Sequence, residues 1–338
     1  MDSLKFRMEL VRFFERFGII KDERIKNAFL EIPREIFTPC SSSLQSIYSD
    51  EVIITYLKNG EVVSTSSQPS LMAKMLELAG VKEGGRVLEI GTGTGYNAAI
   101  ISKIVGENGK VVTLEINKEI CKIAKNNFKK LKLENIIVLN SDGDPDILKE
   151  FAPFDSVIAT VGIDFPRKDF SLLVDQDGRI CFPLNFHTTD QNPTCVMTKI
   201  SNHFLFDIKI ASRFLRAHGN LAWRNGVVEK VDIRELKTSK PIDEFELREF
   251  SYRRFIDFLE LLTLSLYEKS DDFIYIDEEE NLALITGKRI RIYSGTTLRE
   301  KIEKSSLLWN ELGKPSIFDL SYEIIYDHEF PRIEPTIY

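Results

Sequence analysis

The stretch Val87-Leu88-Glu89-Ile90-Gly91-Thr92-Gly93-Thr94-Gly95-Tyr96-Asn97 constrains the fold more than any other. Val87 to Ile90 reads as a buried strand. Three glycines follow at alternate positions, and then Ala98, Ala99, Ile100, Ile101, Ile104 and Val105 recur with helical spacing. Strand, tight turn and helix form the opening unit of a doubly wound α/β sheet, whose ligands bind at the carboxyl ends of the strands. The glycines also narrow the ligand. A dinucleotide fingerprint, G-x-G-x-x-G/A, needs a third small residue where this chain has Tyr96, and a phosphate-cradling loop needs a Lys that is absent here. The turn permits close backbone approach and suits a nucleoside without phosphates. The competing reading is a tight turn that binds nothing.

Two acids extend the ligand reading. Lys110 to Leu114 forms the next strand and ends at Glu115, which follows Gly91 by 24 residues. An acid at that strand tip commonly accepts hydrogen bonds from ribose hydroxyls, and its two oxygens suit a vicinal diol. Ile136 to Leu139 is a third strand, followed by Asn140-Ser141-Asp142-Gly143. Asp142 can accept from the exocyclic amine of an adenine beside the Gly143 N–H; its competing use is an Asx turn. Strands at Phe154–Ala159 and Arg179–Leu184, with a hairpin turned at Ser201-Asn202-His203, complete an open sheet of about seven strands.

Upstream, Leu4, Met8, Val11, Phe14 and Phe17 mark a first helix, and Asp22 caps a second. The run Ser64-Thr65-Ser66-Ser67-Gln68-Pro69 precedes an apolar helix, where hydroxyl residues and proline read most simply as a helix cap. After about residue 225 the character changes. A charged stretch, a helix over Tyr252–Tyr267, strands near Phe273, Leu282, Arg289 and Ser321, and a helix from Thr297 make a small α+β domain. The division expected is 1–224 and 225–338, the second part serving dimerisation or shaping of the substrate cleft.

Bulk properties exclude other classes. The formal net charge of −7 argues against nucleic acid as the main partner. Cys40, Cys121, Cys181 and Cys195 form no C-x-x-C pair, and the four histidines show no metal spacing, so a zinc site is not expected. The first residues begin a charged amphipathic helix rather than a secretory signal, and no apolar run reaches membrane-spanning length. A cytoplasmic protein with no membrane partner is expected.

The chain resembles the protein-L-isoaspartate O-methyltransferases, in particular longer bacterial members with an extra C-terminal domain. Pro33-Arg34-Glu35-x-Phe37 looks like the family's P-R-E-x-F, Tyr48-x-Asp50 like its Y-x-D, and Thr65-Ser66-Ser67-Gln68-Pro69 like T-I-S-Q-P. Glu89 to Ala99 looks like E-I-G-T-G-S-G-W-N-A-A, and the likeness spans about residues 1–220. It implies a Rossmann-like S-adenosylmethionine-dependent methyltransferase fold. It implies S-adenosyl-L-methionine held by Glu89, Gly91, Thr92, Gly93, Gly95 and Asn97, with Glu115, Asp142 and Gly143. It further implies an active-site serine at Ser67, flanked toward the substrate by Thr65, Ser66 and Gln68, which overrides the cap reading. The partners implied are isoaspartyl-containing proteins and peptides, methylated as the first step of repair through a succinimide, with a homodimer through the C-terminal domain. Two departures stand out: Ser141 replaces a glycine, and Leu215-Arg216-Ala217-His218-Gly219 replaces a peptide-contacting Val-Pro-Leu. Two other readings remain open, an aspartyl O-methyltransferase that tailors a dedicated peptide and a cofactor-binding module without catalysis.

Overall fold

Val87, Leu88 and Ile90 are all buried because β3 (Arg86–Ile90) is an interior strand of a nine-stranded sheet. A computed structural model describes residues 3–39, 42–189, 191–222, 224, 231–247, 252–269, 272–277, 279–328 and 331–336. Beside β3 lie β4 (Lys110–Leu114) and then β5 (Ile136–Leu139) on one side, and β6 (Phe154–Ala159) and β7 (Val174–Pro183) on the other, all parallel. The chain therefore reverses its direction of travel across the sheet between β3 and β6, and the crevice at that reversal is where such sheets bind ligands. Then β8 (Thr194–Ile200) and β9 (His203–Ile210) add antiparallel strands.

The alternation along each strand splits the core in two. Val87, Val111 and Ile158 face α1 (Ser3–Arg16), α2 (Glu23–Glu31), α3 (Pro69–Leu78), α4 (Tyr96–Val105) and α5 (Lys118–Leu131). Helix α4 is apolar nearly all round, as a helix must be when it lies between a sheet and a second helix layer. Ile100, Ile101 and Val105 are fully buried, each worth about 1.5–3 kcal/mol of transfer free energy.

The opposite face carries Leu88, Val112, Val157 and Phe182. Only four-residue helices, at Pro145–Leu148 and Lys168–Ser171, connect the strands there. One continuous apolar core runs instead from these residues to α6 (Tyr252–Thr263) and α7 (Leu298–Glu311), including Phe258, Leu259 and Trp309. A five-stranded antiparallel sheet joins that core, ordered β10 (Asp243–Glu246), β14 (Arg289–Ile292), β13 (Leu282–Thr286), β12 (Asp272–Ile276) and β11 (Leu266–Lys269).

Three features differ from the sequence reading. The strand near Ser321 belongs to the main sheet: β15 (Ser321–Ile325) pairs with β9, and β16 (Arg332–Pro335) pairs with β15, making nine strands rather than about seven. The outer edge of β9 is covered in this way. The helix expected to reach Tyr267 stops at Thr263, where Leu264 takes a positive φ of 52° and the chain turns into β11. Strand β10 lies in the charged stretch read as lacking periodicity, with Phe245 its one buried residue. The expected division at 224/225 adjoins residues 225–230, which lie outside the described residues, as does Cys40. Cys121, Cys181 and Cys195 are buried free thiols. Among the described residues no helix is long and apolar enough to cross a membrane.

Candidate active site

The glycine turn is fastened to its neighbour strand. The N–H groups of Gly91 and Thr92 both donate to the Leu114 carbonyl, at 3.0 and 2.9 Å. Gly95 enters α4 in the left-handed region at φ 102°, and a Cβ there would come 2.6 Å from the Phe128 ring. No other residue type meets both conditions without strain.

Beneath the turn sits Glu89, fully buried. Its carboxylate accepts from Asn97 Nδ2 at 2.9 Å and from Thr113 Oγ1 at 2.5 Å. Burial is the main cause that pushes its pKa up to about 7, opposed by those two hydrogen bonds. Thr92 and Thr113 share a hydroxyl contact of 2.6 Å. The structure thus turns the side chains of Glu89, Thr92 and Asn97 inward, where they tie strand, turn and helix together. The partly exposed positions of the turn are Gly91 and Gly93, which present backbone only.

Both acids stand where the sequence put them, at the carboxyl ends of neighbouring strands. Half-buried Glu115 accepts from Gly93 N and Asn117 N, each at 3.0 Å, and burial raises its pKa. Asp142 lies beyond β5 beside Gly143. Its carboxylate accepts from the backbone and side-chain nitrogens of Asn220, at 3.2 and 3.3 Å. A nucleoside offers ribose hydroxyls and an exocyclic amine as donors, and two acceptor-only carboxylates on adjacent strands fit that donor set.

The run 64–68 reaches the turn by an antiparallel hairpin, β1 (Ile53–Lys58) and β2 (Glu61–Ser66). Ser64 bonds Thr55 across the hairpin at 2.9 Å. A Cβ on Gly93 would come 3.1 Å from the Ser64 hydroxyl and 3.8 Å from the Thr65 carbonyl, so the hairpin packs directly against the turn. The cap reading of these hydroxyls is corrected. Helix α3 starts at Pro69, Gln68 gives it no side-chain cap, and Asp50 accepts from Ser70 N at 2.8 Å instead. The other Asp50 oxygen accepts from Gln68 Nε2 at 2.8 Å.

Arg34, wholly buried, organises this run. Its guanidinium donates to the Ser66 hydroxyl at 3.1 Å, to the Ser67 carbonyl at 2.9 Å and to the carbonyls of Ile47, Ser49 and Glu51. Ser66 is thereby turned inward. Ser67 is half-buried, and among the described residues its hydroxyl has no hydrogen-bond partner. Of the three hydroxyls expected near the substrate, Arg34 engages that of Ser66, while those of half-buried Thr65 and Ser67 have no hydrogen-bond partner among the described residues. The segment after Arg213 is held beside the end of β6: Gly162 N donates to the Leu215 carbonyl and Ala217 N to the Gly162 carbonyl, each at 2.7 Å, while Leu215 is exposed.

Sequence reasoning missed the roles of Arg34, Asp50 and Asn220. The first two were visible as motif residues, Pro-Arg-Glu and Tyr-x-Asp, without a stated task. Nothing in the local sequence marks Asn220.

Known proteins resemble this chain over most of its length. Residues 5–221 match the model of a family described as Protein-L-isoaspartate(D-aspartate) O-methyltransferase (PCMT). A protein-L-isoaspartate O-methyltransferase of Thermotoga maritima is 34% identical over 330 residues, 95% of this chain and 97% of that one. One from Methanococcus aeolicus is 29% identical over 224 residues, 66% of this chain and 99% of its own length. Among solved structures, a protein-L-isoaspartate O-methyltransferase superposes with a TM-score of 0.78 at 34% identity, covering 98% of this chain and 100% of that one. A Plasmodium falciparum protein described as a beta-aspartate methyltransferase (PCMT), in complex with S-adenosyl-L-homocysteine, shares the fold at a TM-score of 0.54 and 21% identity, over 63% of this chain and 98% of its own. The family match spans the glycine turn, both acids and the Arg34–Ser67 cluster, and on it the chain belongs to the protein-L-isoaspartate(D-aspartate) O-methyltransferase family.

Proposed function

We propose that this protein-L-isoaspartate O-methyltransferase carries out its reaction where the glycine turn meets residues 64–68, with Ser67 as the residue that touches the substrate carboxyl. S-adenosylmethionine, the family's cofactor, supplies when bound a methyl group already activated on a sulfonium sulfur. Glu115 would hold its ribose, Asp142 and Gly143 its adenine, and the backbone of Gly91 to Gly95 its close approach to the sheet. The substrate carboxylate is ionised at neutral pH, since its ordinary pKa is near 4, so no base need remove a proton. The protein's work is orientation of two groups that need no further activation.

The observation that carries this reading is the state of Ser67. Asp50 takes the capping duty on α3, Arg34 takes the Ser66 hydroxyl and the Ser67 carbonyl, and the Ser67 hydroxyl is left without a hydrogen-bond partner among the described residues, two positions after Thr65, whose carbonyl lies against the turn. It donates a hydrogen bond to the isoaspartyl carboxylate and fixes one oxygen toward the methyl donor. The substrates supported are isoaspartyl residues in proteins and peptides; the exposed Leu215 borders the same edge of the sheet and favours an apolar flanking residue.

Methyl transfer to an isoaspartyl peptide and to its aspartyl twin tests the reading. Ser67→Ala should lower kcat/KM on the isoaspartyl peptide by about 10- to 100-fold, the effect of losing one hydrogen bond to a charged group. Undiminished turnover would show that Ser67 does not orient the carboxylate. Equal turnover of the aspartyl twin would favour the peptide-tailoring reading instead.

A further inference from the structure

We infer that residues 217–222, together with Arg224, form a strap through which Glu260 of α6 and Asn220 set the orientation of Asp142, so that the C-terminal part of the chain tunes recognition of the adenine ring. The inference rests on the assignment of Asp142 to the adenine amine.

The strap lies directly on the acid. Gly219, at φ 70°, packs so closely that a Cβ would sit 2.3 Å from Asp142 Oδ2, and Leu221 packs so closely on Gly143 that a Cβ there would sit 2.5 Å from it. Asn220 then donates its backbone N–H to Oδ2 and its side-chain amide to Oδ1. An ionised carboxylate has about four lone-pair sites. Asn220 occupies two and fixes the plane of the group, which leaves the remaining lone pairs with a defined direction for the exocyclic amine.

The strap is in turn held from behind. Asp164 N donates to the Leu221 carbonyl at 2.8 Å, and Arg224 N donates to Asp164 Oδ2 at 2.6 Å. The Arg224 guanidinium is buried over the Tyr267 ring at 5.1 Å and donates to the Leu266 carbonyl at 3.1 Å. It pairs with buried Glu260 at 3.4 Å. Glu260 also accepts from the N–H groups of His187 and Thr188 and from the Thr188 hydroxyl, at 2.5, 3.1 and 2.5 Å. One carboxylate on α6 thus joins the loop after β7 to the end of the strap. A buried charge pair of this kind is geometrically demanding, and loss of one partner displaces the other. Displacement of Arg224 moves the chain only a few residues from Asn220.

Neither Asn220 nor Glu260 is a catalytic residue; both are positioning residues. The readout is selectivity for the base. S-adenosylhomocysteine offers Asp142 an amine donor, whereas S-inosylhomocysteine offers a carbonyl oxygen that a carboxylate repels. Calorimetry of both probes on the intact protein should give a preference for the adenine form of about 30-fold or more, the scale of a hydrogen bond to a charged group. Asn220→Ala should cut that preference by about fivefold, and Asn220→Asp by more, because two carboxylates would face each other. Glu260→Gln should narrow it likewise, with the loss in turnover appearing in KM for the methyl donor rather than in kcat.

Asp142→Asn is the reference variant, since its amide can donate to the hypoxanthine carbonyl and should erase or reverse the preference. If Asp142→Asn does so while Asn220→Ala and Asn220→Asp leave the preference intact, the strap does not orient the acid and the inference fails. If Asp142→Asn leaves the preference unchanged, the adenine assignment itself is wrong, and the inference falls with it. Asn220 is exposed, so its variants decide the matter even if Glu260→Gln fails to fold.

Discussion

Replacing Glu89 by glutamine should make the protein's stability less sensitive to pH, in a direction fixed by the burial of that one carboxyl. The pKa of about 7 in the folded protein stands about 2.5 pH units above the ordinary 4.5. At about 1.36 kcal/mol per unit, this corresponds to about 3 kcal/mol. The sign follows from proton counting. Between about pH 4.5 and about pH 7 the folded protein keeps a proton that the unfolded chain has lost, so unfolding releases it and rising pH favours the unfolded state. The stabilising contribution is fully present below about pH 4.5 and is lost as pH rises through about 7. Glutamine retains an acceptor oxygen for Asn97, can donate its amide to the Thr113 hydroxyl as a protonated Glu89 would, and has no proton to lose. Urea unfolding followed by circular dichroism across this range should give wild-type and Glu89→Gln curves that diverge with pH. The variant should gain about 3 kcal/mol relative to wild type between about pH 4.5 and about pH 8.5. A constant offset at every pH would refute the reasoning. It would mean that the hydrogen bonds from Asn97 and Thr113 hold Glu89 ionised throughout, in spite of its burial.

Other perturbations probe neighbouring parts of the site. Arg34→Lys replaces a planar fork serving five chain positions with a single point charge; it should cost about 2–4 kcal/mol in denaturant unfolding and lower turnover with Ser67 intact. Gly91→Ala places a Cβ 2.7 Å from the Thr160 hydroxyl at φ 94°; a loss of about 1–3 kcal/mol is expected in thermal unfolding, and unchanged stability would show that the turn can relax. Glu115→Gln should weaken S-adenosylhomocysteine binding about tenfold in calorimetry, because the acceptor proposed for the ribose would lose its charge.

The features legible from the sequence are those written in neighbouring residues. Strand β3, the glycine turn and helix α4 follow from one continuous pattern, and Glu115 and Asp142 were placed correctly because a strand end is a local property. The allocation of hydroxyls around Ser67 was not legible. It depends on Asp50 reaching Ser70 across 20 positions and on Arg34 reaching Ser67 across 33. Asn220 meets Asp142 across 78 positions. Strand β11 was hidden because Leu266 continues the helical spacing of Leu259 and Leu262, and only the positive φ of Leu264 breaks it. The C-terminal part looked like a separate domain because it has its own alternation of helix and strand. Nothing local in it says that Tyr322 and Ile324 are buried against the larger sheet.

The pairing of β15 with β9 has a consequence for biosynthesis. Ser321 bonds Asp207 across 114 positions, so the edge of β9 emerges from the ribosome long before the strand that covers it. During that interval the nascent chain carries the glycine turn, both acids and Ser67, yet shows an open strand edge and the uncovered apolar face around Leu88, Val157 and Phe182. Long-range pairing of this kind is slow and leaves intermediates prone to association. A chain stopped near residue 221 would hold the glycine turn, both acids and Ser67 and lack the cover over the other face of their sheet.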